Sequence, residues 1–430
     1  MTGLSVAHYM RDRDVAFAVA DSRENPPGKR ALEQSCPDTP VFFGTFSTEV
    51  FNQARQLIVS PGLSIATREI QAAHANGAEI LGDIELFVRA VQQPIIAITG
   101  SNGKTTVTTL VKLMAEASGK RVAAGGNVGI PVLDLLKQEA AELYVLELSS
   151  FQLETTNSMQ AESAVILNIS ADHLDRYEGI EGYAAAKARI YDQCKVAIVN
   201  RDDPSACRLA GARLTVSFGL NEPPTEQDMG LIEHEGVLWF AKGKRLLLST
   251  EAMKVTGEHN IANALAALAL GEQAGLPMAG MLQAISDFKG VRHRSEWVAE
   301  INQVNWYNDS KGTNVGATLA ALKGMPRKTV LIAGGQGKGS DFTPLKQVVD
   351  EKARAVILFG EDAKKMARSL AGFRHIFFVK DMQEAVKMAK KLAQKHDNVL
   401  LSPACASFDM YANFEERGDD FVNSVRQLAI

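Results

Sequence analysis

Short apolar runs alternate along this chain with longer stretches of mixed residues at helical spacing. Val15–Ala20, Leu57–Val59, Ile95–Thr99, Leu143–Leu148, Ala164–Ile169, Val196–Asn200, Thr329–Ala333, Ala355–Phe359 and Asn398–Leu401 read as strands. Runs this short and this apolar, set between helical segments, predict βα units and parallel sheets covered on both faces. The segment Ile232–Thr250 differs. Gly236-Val237-Leu238-Trp239-Phe240, then Gly243 and Arg245-Leu246-Leu247-Leu248, predict a hairpin, an antiparallel addition to a central domain. The pattern changes near Gly82-Asp83 and again near Lys289-Gly290-Val291. Three domains are therefore expected, over 1–82, 83–289 and 290–430. At the start, Thr2-Gly3-Leu4-Ser5 runs straight into a helix-like segment, followed by Val15–Ala20 and Asp21-Ser22-Arg23. This is the back half of a nucleotide-binding βαβ unit without its first strand and leading glycines. A natural start upstream of Met1 is expected, with a weaker hold on the first domain's ligand in the chain as it stands.

Charge narrows the function. Lys and Arg number 46 against 50 Asp and Glu, a formal charge of −4, which argues against a chain built to grip nucleic acid or an anionic membrane. Hydrophobic residues at 46% and charged residues at 22% are ordinary for a globular chain able to bury several cores. No apolar run approaches the roughly 18 residues of a membrane span. Arg11, Asp12, Arg13 and Asp14 fall where a signal peptide would need an apolar core. A cytoplasmic protein with no nucleic-acid or membrane partner is expected. Cys36, Cys194, Cys207 and Cys405 form neither a C-x-x-C pair nor a zinc-ligand spacing, so reduced thiols are expected.

The strongest chemical signal is Ile95-Ile96-Ala97-Ile98-Thr99-Gly100-Ser101-Asn102-Gly103-Lys104-Thr105-Thr106. An apolar strand enters a glycine turn, and Lys and Thr then open a helix over Val107–Ala117. Backbone N–H groups of such a turn point at phosphate oxygens. Lys104 is placed to hold β- and γ-phosphates and Thr105 to ligate Mg²⁺. The spacing departs from G-x-x-x-x-G-K-[ST], since position 98 is Ile. Gly125-Gly126-Asn127-Val128-Gly129-Ile130-Pro131 is a second loop that would let a ligand approach the backbone, or a plain tight turn. Glu147 ends an apolar run, where a carboxylate can bind a metal bridging phosphates and substrate or can pair with a neighbouring base. Asn168-Ile169-Ser170-Ala171-Asp172-His173 repeats the design. Lys187 reads from the residues alone as a solvated helix lysine. In the last third, Trp306–Asn314, Gly334–Asp341 and Leu400–Asp409 each end an apolar run in a dense polar turn. Three polar strand ends, two with lysines, predict one cleft for an anionic small molecule.

Taken together these motifs resemble the Mur ligases, the ATP-dependent amino-acid-adding enzymes of peptidoglycan synthesis. The resemblance is carried by Thr99–Thr106, Glu147–Glu154, Asn168 with Asp172-His173, His259-Asn260 with Asn263-Ala264, His293-Arg294 and Asn308-Asp309-Ser310-Lys311, in order over nearly the whole chain. Ser149–Glu154, Asn308–Asn314 and Ser402–Ser407 look like the D-glutamate-adding branch. The implied fold is α/β in three domains: a Rossmann-like first domain, a central mononucleotide-binding domain with a small antiparallel addition, and a Rossmann-like last domain. The implied reaction joins D-glutamate to UDP-MurNAc-L-alanine. ATP phosphorylates the substrate carboxylate, the amine attacks the acyl phosphate, and a tetrahedral intermediate releases phosphate.

By the same resemblance, Gly100, Ser101, Asn102, Gly103, Lys104, Thr105 and Thr106 hold the phosphates of ATP. Thr105, Glu147, His173 and Lys187 as a carbamate support two Mg²⁺ ions, and Lys104, Glu147, His173 and Lys187 form the catalytic set. Asn260 and Asn263 match adenine-side contacts, and His293, Arg294, Asp309 and Lys311 match a nucleotide wall. Thr313, Lys338, Ser407 and Phe414 match the D-glutamate pocket. Thr2, Asp21, Ser22, Arg23, Ser60, Pro61, Gly62, Asn127 and His173 match contacts to the UDP-substrate. A monomer is expected. Three rival readings stand beside this one: a sibling or folate-type ligase of the same fold, a binding protein that has lost catalysis, and an ATPase acting on a protein. Asp21-Ser22-Arg23 and Ser60-Pro61-Gly62 argue against folate, and no catalytic position is vacant.

Overall fold

The computed structural model describes residues 2–138, 141–170, 176–255 and 257–428, and nineteen strands among them form four sheets. The chain divides into two compact units. One comprises Met1–His234, Trp239–Leu248 and Ala264–Ala284; the other comprises Glu235–Leu238, Ser249–Asn263 and Ile285–Ile430.

Two small parallel ladders open the first unit. β1 (Val19–Asp21) pairs with β2 (Val41–Phe43), and β3 (Gln56–Ile58) pairs with β4 (Glu79–Leu81). The ladders share no pairing among the described residues, so the expected Rossmann-like sheet is here two separate pieces. Strands of three residues are too short to show a period, and β2 and β4 left no usable mark in the sequence.

The main sheet contains β5 (Ile95–Thr99), β6 (Val122–Gly126), β7 (Leu143–Glu147), β8 (Ser163–Ile166), β9 (Val196–Asn200), β10 (Thr215–Phe218), β11 (Met229–His234), β12 (Val237–Lys242) and β13 (Arg245–Ser249). Their order is β13-β12-β11-β10-β9-β8-β5-β7-β6. β5, β7 and β8 are buried at every position, and their ladders are parallel, as continuous aliphatic runs require. The last three strands are joined by two-residue links, Glu235-Gly236 and Gly243-Lys244, which only antiparallel neighbours allow. Glu235 and Gly236 have φ of 52° and 78°, the left-handed pair of a tight hairpin turn. The expected hairpin is thus a three-stranded addition whose β11 runs parallel to β10. Ala264–Leu270, in the helix Glu258–Gln273, is the most apolar stretch of the chain and is buried at every position.

The second unit holds β14 (Glu296–Ile301), β15 (Val304–Asn308), β16 (Thr329–Gly334), β17 (Ala353–Phe359), β18 (Ile376–Phe378) and β19 (Asn398–Leu401), in the order β14-β15-β19-β16-β17-β18. Only the β14–β15 pair is antiparallel. One core covers each face. Leu331, Val356 and Leu400 point into one, and Val330, Ile357 and Leu401 into the other, the alternation expected of covered strands. Both larger sheets therefore place neighbouring parallel strands so that their carboxyl ends lie together, the usual position for ligands in open α/β sheets.

Candidate active site

In the first unit, four adjacent strands β8-β5-β7-β6 bring four loops to one edge. The loop after β5 is the glycine turn. Gly100 (φ 151°) and Gly103 (φ 84°) adopt conformations that L side chains rarely take. A Cβ on Gly100 would press within 3.0 Å of the Leu167 side chain. The loop is clamped by Asn168: its side chain accepts from the Asn102 N–H at 2.8 Å and donates to the Asn102 carbonyl at 3.1 Å. Ser101 donates to the Ser170 carbonyl. Gly103 caps the helix Lys104–Ala117, one turn longer at its start than the sequence reading, so its first N–H groups face the loop. The Lys104 ammonium is held by the Gly100 and Ser101 carbonyls at 2.7 and 3.1 Å.

Glu147, at the end of β7, is 2% exposed. One of its oxygens accepts from Thr105 Oγ1 at 2.8 Å, and the other from Asn127 Nδ2 at 3.0 Å. Thr105 and Glu147 thus offer adjacent hard oxygens beside the phosphate loop, a donor set suited to Mg²⁺ with phosphate oxygens and water completing the shell. Among the described residues no three His, Cys, Asp or Glu side chains converge on a metal position. His173 and Asp172 lie outside the described residues.

Lys187 corrects the reading made from the residues alone. It is 1% exposed, not solvated. The helix Gly179–Ala188 turns it inward, where Nζ donates to Thr99 Oγ1 at 3.2 Å and lies 4.6 Å from the Tyr183 ring centroid. Thr99 in turn donates to the Leu148 carbonyl. The lysine therefore sits beneath the ends of β5 and β7.

The positions matched to the UDP-substrate fall in the same unit. Asp21 accepts both Nε and Nη2 of Arg23 at 2.8 and 2.7 Å, which holds its carboxyl below the usual range. Ser22 and Arg23 are exposed. Beside them lies a pocket of about 290 Å³ lined by Ala20, Phe42, Phe43, Phe46 and Phe51. Ser60, Pro61 and Gly62 follow β3, and a Cβ on Gly3 would lie 3.7 Å from Ser60 Oγ, so the helix Thr2–Arg11 starts beside that turn.

In the second unit, β15, β19 and β16 are neighbours, and their three polar turns are bonded to one another. Ala404 N–H donates to the Gly312 carbonyl, Gly334 N–H to the Pro403 carbonyl, and Gln336 pairs with Ala406. His293, Ser295, Lys338 and Ala404 all have φ between 47° and 62°, strain that clusters around these turns. Asp309 accepts from Ser402 Oγ at 2.7 Å and from the Ser295 N–H at 3.1 Å, and burial pushes its carboxyl up to about 6. Lys311 lies over the Phe414 ring at 4.2 Å and Lys338 over the Phe408 ring at 5.2 Å. Ser407 is buried, and Thr313 N–H donates to the Lys311 carbonyl. His293 faces inward at 3% exposed, with Asn308 Nδ2 against its Nδ1 at 2.9 Å. Arg294 is half-buried, and its charge acts on Asp309. Asn260 and Asn263 share one face at the start of the helix Glu258–Gln273.

Asn168 belongs to a motif that carries the resemblance, but two further residues that organise these loops have no readable sequence signal. Arg417, fully buried, donates to Ser310 Oγ, to the Ser310 carbonyl and to the carbonyls of Cys405 and Ala406, tying two turns together. Arg176 binds two carbonyls far away in the chain. Their partners are mostly backbone oxygens, which no residue pattern announces.

Fold and site define a class: a parallel-sheet α/β protein whose glycine loop, helix N-terminus and strand-end carboxylate have the form of a mononucleotide phosphate site. The chain belongs to the Mur ligase family. The Mur ligase MurD-like N-terminal domain matches residues 1–82, the Mur ligase middle domain residues 98–271, and the Mur ligase glutamate ligase domain residues 293–405. A relative from Nitrosococcus oceani, UDP-N-acetylmuramoylalanine--D-glutamate ligase, is 50% identical over 99% of this chain and 95% of its own. A relative of the same name from Pseudomonas putida is 49% identical over 100% of this chain and 96% of its own. Among solved structures, the UDP-N-acetylmuramate-alanine ligase MurC of Thermotoga maritima superposes with a TM-score of 0.62 at 19% identity, covering 99% of this chain and 96% of that one. The MurF ligase of the same organism, in complex with ADP, gives 0.62 at 17%, covering 98% and 92%. These two likenesses bear on the fold.

Proposed function

We propose that this protein is an ATP-dependent ligase that joins D-glutamate to UDP-MurNAc-L-alanine, releasing ADP and phosphate. What carries the reading is the near full-length identity of about one half to relatives bearing that activity in their names. The residues around the phosphate loop fit it. A carboxylate is a poor electrophile, so the reaction needs a leaving group, and transfer of the γ-phosphoryl group to the substrate carboxylate supplies one. Residues 100–106 would cradle the phosphates through backbone N–H groups, with the Lys104 ammonium swinging from its own loop carbonyls to the β- and γ-oxygens. Thr105 and Glu147 would hold Mg²⁺, which when bound offsets charge on the transferred group.

Lys187 is read as a carbamate. Its neutral amine would add to CO₂ and lose a proton, turning a buried cation into an anion that, with His173, supports a second Mg²⁺. Asn127 and His173 would also meet the UDP-substrate, with Thr2, Asp21, Ser22, Arg23 and Ser60–Gly62 holding its nucleotide part. Asn260, Asn263, Arg294, Asp309 and Lys311 are assigned to ATP. Thr313, Lys338, Ser407 and Phe414 are assigned to D-glutamate, with Lys338 balancing a carboxylate. The working domains are taken as 1–82, 83–289 and 290–430, in a cytoplasmic monomer.

The test is phosphate release with ATP, Mg²⁺ and UDP-MurNAc-L-alanine, adding D-glutamate, L-glutamate, L-alanine or meso-diaminopimelate separately. Release with D-glutamate alone is expected. Release with another amino acid would move the protein to a sibling step, and release without any amino acid would favour an ATPase.

A further inference from the structure

Arg176 ties the turn after β3 to the helix after Glu147. Its guanidinium, 15% exposed, meets three oxygens and one aromatic ring. Nη1 donates to the Pro61 carbonyl at 3.0 Å, and Nη2 donates to the Leu63 carbonyl at 3.1 Å and to Glu154 Oε2 at 3.2 Å. Its carbon lies 4.2 Å from the centroid of the Phe151 ring. Phe151 is in the helix Ser150–Leu153, Glu154 caps that helix, and the helix begins three residues after Glu147. The ion pair is 14–15% exposed on both sides, so it is shielded from the solvent screening that weakens surface pairs.

The consequence lies in the turn. Leu63 N–H closes it onto the Ser60 carbonyl at 2.9 Å. In a trans peptide the carbonyl and the following N–H point in opposite directions. With the Pro61 and Leu63 carbonyls both drawn to one guanidinium, the Gly62 and Ser64 N–H groups are turned to the opposite side. Among the described residues neither of these amides has an acceptor within the chain. Two aligned backbone donors at a strand end make a small anion cradle.

The geometry points to Arg176 as a positioning residue for the UDP-substrate. It presents the Gly62 and Ser64 amides to an anionic group of that ligand and locks the turn to the segment that carries Glu147. This rests on the reading of function given above, because the ligand is taken from it.

The experiment compares wild type, Arg176→Lys, Arg176→Met and Glu154→Gln. Affinity for UDP-MurNAc-L-alanine is measured by calorimetry without ATP, and KM is measured for each of the three substrates. Arg176→Met should raise Kd and KM for UDP-MurNAc-L-alanine about tenfold or more, the size expected when a preset pair of backbone donors is lost. KM for ATP and for D-glutamate should stay within about twofold, and kcat at saturation should fall less than KM rises. Arg176→Lys should recover part of the loss, because one ammonium cannot serve three acceptors and the ring face together. Glu154→Gln should shift the same KM in the same direction by less. Should Arg176→Met fail to fold, Arg176→Lys and Glu154→Gln carry the test alone. Unchanged Kd in a folded variant, or a loss confined to kcat, overturns the assignment of Arg176 while the function stands. A wild-type protein that binds no UDP-MurNAc-L-alanine overturns both.

Discussion

Asp83 shows what burial does to a single residue here. It opens the helix Asp83–Ala90, is 3% exposed, and leaves one carboxyl oxygen without a partner among the described residues. Burial pushes its pKa from 3.8 to about 6, against partial compensation from the Ile84 N–H and the Gln152 amide. The folded state therefore keeps a proton that the unfolded chain loses first, so this group removes stability as pH rises through that window. Asp83→Asn does not titrate. The stability of the variant relative to wild type should rise by about 2–3 kcal/mol between pH 4 and pH 7.5, read from denaturant midpoints at each pH. A gap independent of pH would count against the assignment. Lys187 makes the complementary point. Its helix pattern marks it as solvated, and only the fold reveals that the helix turns it under β5 and β7. The glycine loop was legible because strand, glycines, lysine and paired threonines coincide within twelve positions. Arg176 and Arg417 were not, since their acceptors are mostly carbonyls distant in the chain.

At the scale of elements, several of the central apolar strands are legible in the sequence, although the run Ala164–Ile169 extends three residues past the end of β8. Ile95–Thr99, Val196–Asn200 and Asn398–Leu401 coincide with their predicted bounds. Three-residue strands were mostly missed, because so few positions cannot distinguish alternation from chance. The run Val15–Ala20 contains two of the three residues of Val19–Asp21 but starts four residues too early, for the same reason. Glycines at strand ends set how closely these ladders pack. Gly334 has φ 123°, and a Cβ there would meet the Phe359 carbonyl oxygen at 2.0 Å. Gly334→Ala should cost about 2–4 kcal/mol, combining backbone strain with displacement of β17. Gly339→Ala is the control: φ is 82°, but nothing lies within 4 Å, so only the conformational cost of about 1 kcal/mol applies. Comparing the two melting temperatures separates the steric part from the conformational part, and equal losses would refute the close approach.

At the scale of the whole molecule, two compact units with separate cores predict that unfolding is not two-state. The calorimetric enthalpy should exceed the van't Hoff enthalpy, and a ratio of one would argue for a single cooperative block. Mg·ATP at about one hundred times its Kd should stabilise the unit that holds the phosphate loop by about 2.7 kcal/mol. Lys104→Met should lose most of that shift while leaving the nucleotide-free profile in place. A shift of equal size in the variant would remove Lys104 from the phosphate site.

The sequence by itself determined the class of fold, the phosphate loop and the order of the polar strand ends. Those depend on local patterns: apolar runs that must be covered, glycines where the backbone turns left-handed, and a lysine beside them. Which strands become neighbours was decided only by the tertiary structure, since pairing is a contest among distant segments for the same hydrogen bonds. That contest set β15, β19 and β16 side by side, so that three turns scattered over a hundred residues share one edge. It also turned Lys187 inward onto the Thr99 hydroxyl and set Arg176 and the buried Arg417 against backbone oxygens, contacts made by peptide groups that are identical at every position of the chain.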